Sequence, residues 1–391
     1  MSSELISRSQ DLARLRDEGY DIAVTAGHLL VQHVPYVAAG GRVAYGTVVS
    51  RLELAGDVTS RPADHVVFFA GETPCDRHGV PLSKVINSSG RQDVGGGLIV
   101  EHVFSSKPPS GYADYYEKMT AYVRILAHEA IAIDPKVTPT PNLVIIPSAD
   151  SESPFQYVDT ASSRAGIGAA NSRLALRRIA IVGLGGTGSY ILDLMAKTPV
   201  RQIDLFDGDK LLQHNAFRAP GAVSVEQLGR SPYKVDYYAA LYGKMHRGLV
   251  AHPYFIDDSN ATELVGVDFA FLAMDAGPGK AAAIDALEKS EGSFIDVGMG
   301  LYDVDSAIAG QLRVVTSTPA DRARARRRIP IQSAETANEY GRNIQIADLN
   351  ALNAALAVIK WKKLFGFYLD LEREQFTAYQ TNGNCLINED V

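Results

Sequence analysis

Ile179-Ala-Ile-Val-Gly-Leu-Gly-Gly-Thr-Gly188 decides the fold of the second half of the chain. A short β-branched run opens onto Gly183, Gly185, Gly186, Thr187 and Gly188, and a helix is expected from Tyr190 to Lys197. A buried strand that ends in Gly-x-Gly-Gly-x-Gly and runs into a helix offers backbone N–H groups to a pyrophosphate at the positive helix end, where a Cβ would block the approach. The next strand, Gln202-Ile-Asp-Leu-Phe206, is followed by Asp207, 19 residues past Gly188. That spacing is close to the roughly 20 residues expected for an acid that binds ribose hydroxyls. Strand, loop, helix, strand and acid therefore agree on a nucleotide site. A nicotinamide or flavin oxidoreductase satisfies the same features, so the choice of nucleotide rests on polar residues further along.

Outward from this loop, strand and helix alternate. Strands are expected at Leu249 to Phe255, Val267 to Leu272, Ser293 to Val297 and Gly310 to Val315, helices near 232–244 and 279–290, and a long apolar helix from Ile346 to Gly366. Alternation of this kind predicts a mainly parallel, doubly wound α/β sheet. Upstream, residues 1–140 read as a separate α+β domain. Val43, Tyr45 and Thr47 alternate with Ala44, Gly46 and Val48, and the runs from His65 to Gly71 and Leu98 to Phe104 are β-branched or aromatic. Tyr115, Tyr116, Met119, Tyr122, Val123 and Leu126 recur at helical spacing. Five prolines between Asp134 and Ser163 place a linker at 141–160, which leaves 161–391 for the nucleotide-binding domain.

The 391 residues, 46% hydrophobic and 21% charged, suffice for more than one core and exclude a disordered or fibrous chain. A formal net charge of -7 gives no electrostatic reason for nucleic-acid binding. With two cysteines far apart, Cys75 and Cys385, a disulfide framework and the paired Cys-x-x-Cys zinc clamp are excluded. The N-terminus lacks a signal-peptide core, and no stretch of about 18 apolar residues is present. A soluble, cytoplasmic protein is expected.

Asp207-Gly-Asp209, Asn215-Ala-Phe-Arg218, Lys234, and Asp275 after Phe269-Ala-Phe-Leu-Ala-Met274 follow one another in an order that a dehydrogenase does not need. The series resembles the signature of the ThiF/MoeB and ubiquitin-activating adenylyltransferases, across about the last 230 residues. The resemblance implies a doubly wound, Rossmann-like ThiF/MoeB fold and ATP with Mg²⁺ as cofactors. It implies that Asp207 holds ribose and that Asp209 stands beside it. Asn215 and Arg218 would face the phosphates, Lys234 would neutralise phosphate charge, and Asp275 would coordinate Mg²⁺. Arg164 sits where the family carries an arginine that reaches the partner subunit's site, so a homodimer is implied. Two departures stand out: Ala219 where the family often has Gln, and Gly229-Arg-Ser-Pro-Tyr-Lys234 in place of Gly-x-Pro-Lys.

The chemistry implied is attack by a protein's C-terminal carboxylate on the α-phosphate of ATP, which needs Arg, Lys and Mg²⁺ against growing negative charge but no protein nucleophile. Full activating enzymes pass the acyl group to a cysteine. Between Gly300 and Arg342 the chain has none, offering Ser306, Thr316, Ser317, Thr318, Ser333 and Thr336 together with the arginine run 322–328. Adenylation alone, a Ser or Thr oxyester, and transfer to Cys75 or Cys385 are the outcomes left open, with the first favoured. The arginine run reads equally as a solvated loop or a dock for an acidic partner.

Tyr112-Ala-Asp-Tyr-Tyr-Glu-Lys-Met119 and Pro74-Cys-Asp-Arg-His78 resemble an uncharacterised domain found ahead of ThiF-type modules in bacterial ubiquitin-like conjugation operons. The aromatic stripe is read as core, and Cys75, His78 and His65 as a loose set that lacks a fourth zinc ligand. The resemblance implies adenylation of a ubiquitin-like protein in a bacterial conjugation pathway of the antiphage-defence kind. The partners implied are that protein and a conjugating enzyme. A sulfur-carrier activator, a tRNA-modifying relative and a nucleotide-binding scaffold without turnover are the alternatives.

Overall fold

The computed structural model describes residues 2–147, 152–331 and 344–389, and Ser333 and Thr336 lie outside them. The chain divides into two compact units, Met1–Ala149 with Val158–Gly166, and Asp150–Tyr157 with Ile167–Val391.

The first unit is α+β. Its antiparallel sheet holds, in spatial order, the strands Asp21–Thr25, His28–Ala38, Arg42–Arg51, Val66–Ala70, Ile99–Ser105 and Ile86–Asp93. Helix Tyr115–Ile133 starts at Asp114, whose carboxylate accepts from Glu117 N at 2.8 Å, while Glu117 accepts from Ala113 N at 2.7 Å. The first bond satisfies a donor that the first turn leaves open, and the second holds the residue ahead of the cap. Tyr115, Met119, Tyr122, Val123 and Leu126 are all buried against the sheet, so the stripe is core, while Tyr116 stays at the rim with its hydroxyl donating to Glu18.

The second unit is the doubly wound α/β domain. Its strands are β1 (Arg178–Val182), β2 (Gln202–Phe206), β3 (Leu249–His252), β4 (Phe269–Leu272), β5 (Phe294–Val304), β6 (Ala307–Ser317), β7 (Phe376–Gln380) and β8 (Cys385–Glu389), in the sheet order β3-β2-β1-β4-β5-β6-β7-β8. The first five run parallel, with Ile203 opposite Ile179 and Phe271 opposite Ile181, and the rest continue the sheet as antiparallel hairpins. Strand order reverses between β1 and β4, the place where such sheets open a crevice beyond their carboxyl ends. β3 stops at His252, short of the expected Phe255, and Pro253 follows it. β5 runs seven residues past the expected Val297 because it pairs along its whole length with β6.

The helices used below are α1 (Gly186–Met195), α2 (Lys234–Tyr242), α3 (Pro278–Lys289), α4 (Arg322–Arg328) and α5 (Ala347–Leu364). Trp361, Val358, Ala357 and Ala354 of α5 pack with Ile191 and Leu192 of α1 and with Phe269 and Phe271 of β4 in the largest core. The arginine run is helical, and its Arg322 and Arg326 are bound within the chain. α4 docks on the end of α3, with Arg322 donating to the Glu288 and Gly292 carbonyls and Arg326 reaching Asp285 at 2.5 Å and Glu288 at 2.6 Å. Arg327 stays exposed.

His246 sets a pH dependence. Gly248 N–H donates to its Nδ1 at 3.1 Å, so the neutral ring carries its proton on Nε2, which donates to the Val200 carbonyl at 2.8 Å. The ring is fully buried, and burial lowers its pKa below the ordinary histidine value. Below about pH 6.5 the unfolded chain binds a proton that the folded chain refuses, so stability falls as pH drops through that value. The melting temperature is expected to fall from about pH 7.5 to about pH 5.5, and to fall less in His246→Gln. Equal slopes in the two proteins would refute the assignment.

Candidate functional site

The loop after β1 is built by close backbone approaches. Gly183 has φ +91°, and a Cβ there would stand 2.3 Å from the Ala273 carbonyl oxygen beyond β4. A Cβ on Gly188 would stand 1.9 Å from the Gly183 oxygen. Gly185 faces open space, with nothing within 4 Å of its Cβ position. α1 therefore begins inside the loop, at Gly186 instead of Tyr190, and the N–H groups of its first turn make an end that suits an anion.

Asp207, at the end of β2, is 5% exposed and ties the loop down. Its Oδ2 accepts from Leu184 N at 2.7 Å and its Oδ1 from Asp209 N at 2.8 Å. Lys234, at the start of α2, is 4% exposed, with Nζ at 2.6 Å from Asp209 and 3.5 Å from Asp207. Asn215 accepts from Leu212 N at 2.9 Å and so fixes the turn that leads to Arg218. The Nε of Arg218 is buried with no hydrogen-bond partner among the described residues. An orphaned guanidinium donor suits a phosphate oxygen.

A cavity of about 310 Å³ extends from Gly185, Gly186 and Thr187 past Asp275 and Lys280 to Gly298, Met299, Gly300 and Arg313. Asp275 is the carboxylate that lines it. Mg²⁺ is commonly held by one or two carboxylates plus substrate phosphates, so this donor set fits the ion, and no group of three or more metal-binding side chains occurs among the described residues. Arg164 ends the short helix Thr160–Arg164 of the first unit and is exposed.

Four further residues stand at the site without belonging to the ordered series: Asn350, Lys280, Arg313 and Asp296. Asn350 of α5 is fully buried. It accepts from the Thr187 hydroxyl at 2.9 Å, donates to the Arg218 carbonyl at 3.2 Å, and lies 2.0 Å from where a Gly186 Cβ would be. Thr187 therefore offers its backbone, not its hydroxyl, to a ligand. Lys280 of α3 and Arg313 of β6 converge on Asp296 of β5. A lone carboxylate inside Phe294-Ile-Asp-Val297 was the available clue, since a charge on a buried strand must be paired.

Of the proposed acyl acceptors, Thr316 and Ser317 are buried at 1% and 0% exposure, Thr318 bonds Asp321, and Ser306 lies in the β5–β6 turn. Cys75 is buried and paired across to Val37 through its backbone, and burial together with Asp76 raises its thiol pKa. Cys385 is exposed. A thiol titration should find one reactive cysteine in the folded protein and both after denaturation; fast labelling of both in the folded state would contradict the burial of Cys75.

The model of the ThiF family matches residues 163–374, and that of a domain of unknown function, DUF6791, matches residues 10–160. Among solved structures, the chain is similar to selenomethionine PaaA, with 16% identity over 57% of this chain and 75% of that one and a TM-score of 0.43. It is similar to E. coli MccB with ATP, with 16% identity, 56% and 65% coverage and a TM-score of 0.45. For E. coli MccB with AMPCPP and MccA the values are 15%, 63%, 74% and 0.46. No curated protein matches the chain.

Proposed function

The chain belongs to the ThiF family, and on that premise we propose that it adenylates the C-terminal carboxylate of a ubiquitin-like protein at the expense of ATP. In the reaction a carboxylate oxygen attacks the α-phosphorus, the bond to the bridging oxygen of the β-phosphate breaks, and pyrophosphate leaves with the electron pair. The observation that carries this reading is the cavity that runs on from the glycine loop past Asp275, which gives a second substrate access to the end of a nucleotide site.

The residues divide the work. Helix α1 and Arg218 would bind phosphate oxygens, and Asp207 would accept from the ribose while it holds the loop through Leu184. Lys234 balances Asp207 and Asp209 and lends its remaining charge to the phosphates. Asp275 would hold Mg²⁺, which supplies charge neutralisation on the phosphates. The enzyme acts as a homodimer to which Arg164 contributes across the interface, in the cytoplasm, within a bacterial conjugation pathway of the antiphage-defence kind. Cys75 is buried and two of the candidate hydroxyls are shut inside the fold. These facts favour release of the adenylate to a partner's nucleophile, in such a pathway a conjugating enzyme.

The test is ATP–pyrophosphate exchange with any ubiquitin-like protein encoded in the same operon. Exchange that needs the carrier's free C-terminal carboxylate supports the reading, and absence of exchange with it removes the proposed substrate.

A further inference from the structure

The ThiF match begins at Ser163, yet residues Val158–Gly166 pack with the first unit, and the second resumes at Ile167. A closed ring of bonds holds them there. Arg16 and Asp17, the last residues of the helix Gln10–Asp17, form an ion pair at 2.9 Å, with side chains 5% and 10% exposed. Ser163 completes it, its hydroxyl accepting from Arg16 at 2.8 Å and donating to Asp17 at 2.9 Å. The Thr160 carbonyl, at 3.1 Å, is the other acceptor in reach of that proton, and the charged oxygen makes the stronger bond.

Burying an ion pair is costly unless its remaining donors and acceptors are met. A serine 147 positions further on meets one of each, so the short helix Thr160–Arg164 cannot leave this surface without stripping a bond from both charges. The start of that helix is fixed separately, Asp159 accepting from Ser162 N at 3.1 Å. The residue after Ser163 is Arg164, and it is exposed. An arginine on a free linker would have to give up its backbone freedom on reaching a phosphate. One on a fastened turn has given it up already.

We infer that the first unit is the holder of Arg164, with Ser163, Arg16 and Asp17 as positioning residues that preorganise its guanidinium for the phosphates in the partner subunit's site. The inference rests on the reading of Arg164 as a residue that crosses to a second copy of the chain for adenylation. It gives the DUF6791 unit a part in nucleotide binding.

The experiment is calorimetry of the full chain with AMPCPP and Mg²⁺, comparing the parent, Ser163→Ala, Arg164→Ala and the double variant. Arg164→Ala should bind at least about tenfold more weakly, the loss expected for one charge-assisted bond to phosphate. Ser163→Ala keeps the arginine, yet should lose about threefold or more, while Ser163→Thr, which keeps the hydroxyl, should stay within about twofold of the parent. The double variant should bind no more weakly than Arg164→Ala alone, because one residue acts through the other. If Ser163→Ala does not fold, Ser163→Cys, of similar size with a weaker donor, takes its place in the cycle with the same expectation. Parent-like binding by the Ser163 variant beside weak binding by Arg164→Ala, or losses that add in the double variant, would overturn the latch and leave the role of Arg164 standing. Parent-like binding by Arg164→Ala would remove both. A parent that does not bind AMPCPP would instead defeat the adenylation reading.

Discussion

Asp275→Asn is expected to lower ATP–pyrophosphate exchange by about a hundredfold or more, in the range seen when one preorganised group is removed from a developing charge. The side chain is exposed at the cavity wall, so the change removes a charge without opening a void, and the melting temperature should stay within a few degrees of the parent. The amide keeps the shape and one acceptor oxygen but loses the charge that a hard cation prefers. Raising Mg²⁺ should therefore restore part of the rate. Exchange within about threefold of the parent at limiting Mg²⁺ would take Asp275 out of the reaction.

Gly188→Ala should abolish nucleotide binding and cost about 3 kcal/mol of stability or more, at the upper end of overpacking effects. The added methyl would stand 1.9 Å from the Gly183 oxygen, and backbone on both sides of the contact leaves no flexible side chain to yield. Gly185→Ala is the control. Its methyl meets nothing within 4 Å, so it should melt with the parent, yet weaken ATP binding if phosphate approaches that open face. Chemical denaturation with a fluorescent ATP analogue measures both quantities. Equal stability loss in the two variants would mean that the loop is not held by the contact described.

The fold was legible where a local pattern has a single physical reading. Ile179 to Gly188 names its strand and turn because glycines at that spacing suit few other structures, and the stripe from Tyr115 to Leu126 names a core face by its period. The arginine run left a solvated loop and a dock for an acidic partner equally open, because composition does not show what a charge meets. In the fold the carbonyl end of α3 and the carboxylates of Asp285 and Glu288 bind Arg322 and Arg326.

The site was legible only in its ordered series. Asp207, Asp209, Asn215, Arg218, Lys234 and Asp275 lie along one stretch, and the structure brings Asp207, Asp209 and Lys234 into direct contact. Asn350 reaches Thr187 across 163 positions and Arg218 across 132. No periodicity reports such a pairing. The same holds for Arg313 and Asp296, which meet only because β5 and β6 fold back on each other.

The bond between Asn350 and Thr187 has a consequence for how the protein is made. Synthesis runs from the N-terminus, and domains generally fold as units as they emerge. The glycine loop is translated early, but the side chain that fixes its threonine and crowds its glycine arrives 163 residues later. A nascent chain that ends before α5 has an unfastened loop and a bare face on α1, and nucleotide cannot help it fold until Asn350 has emerged.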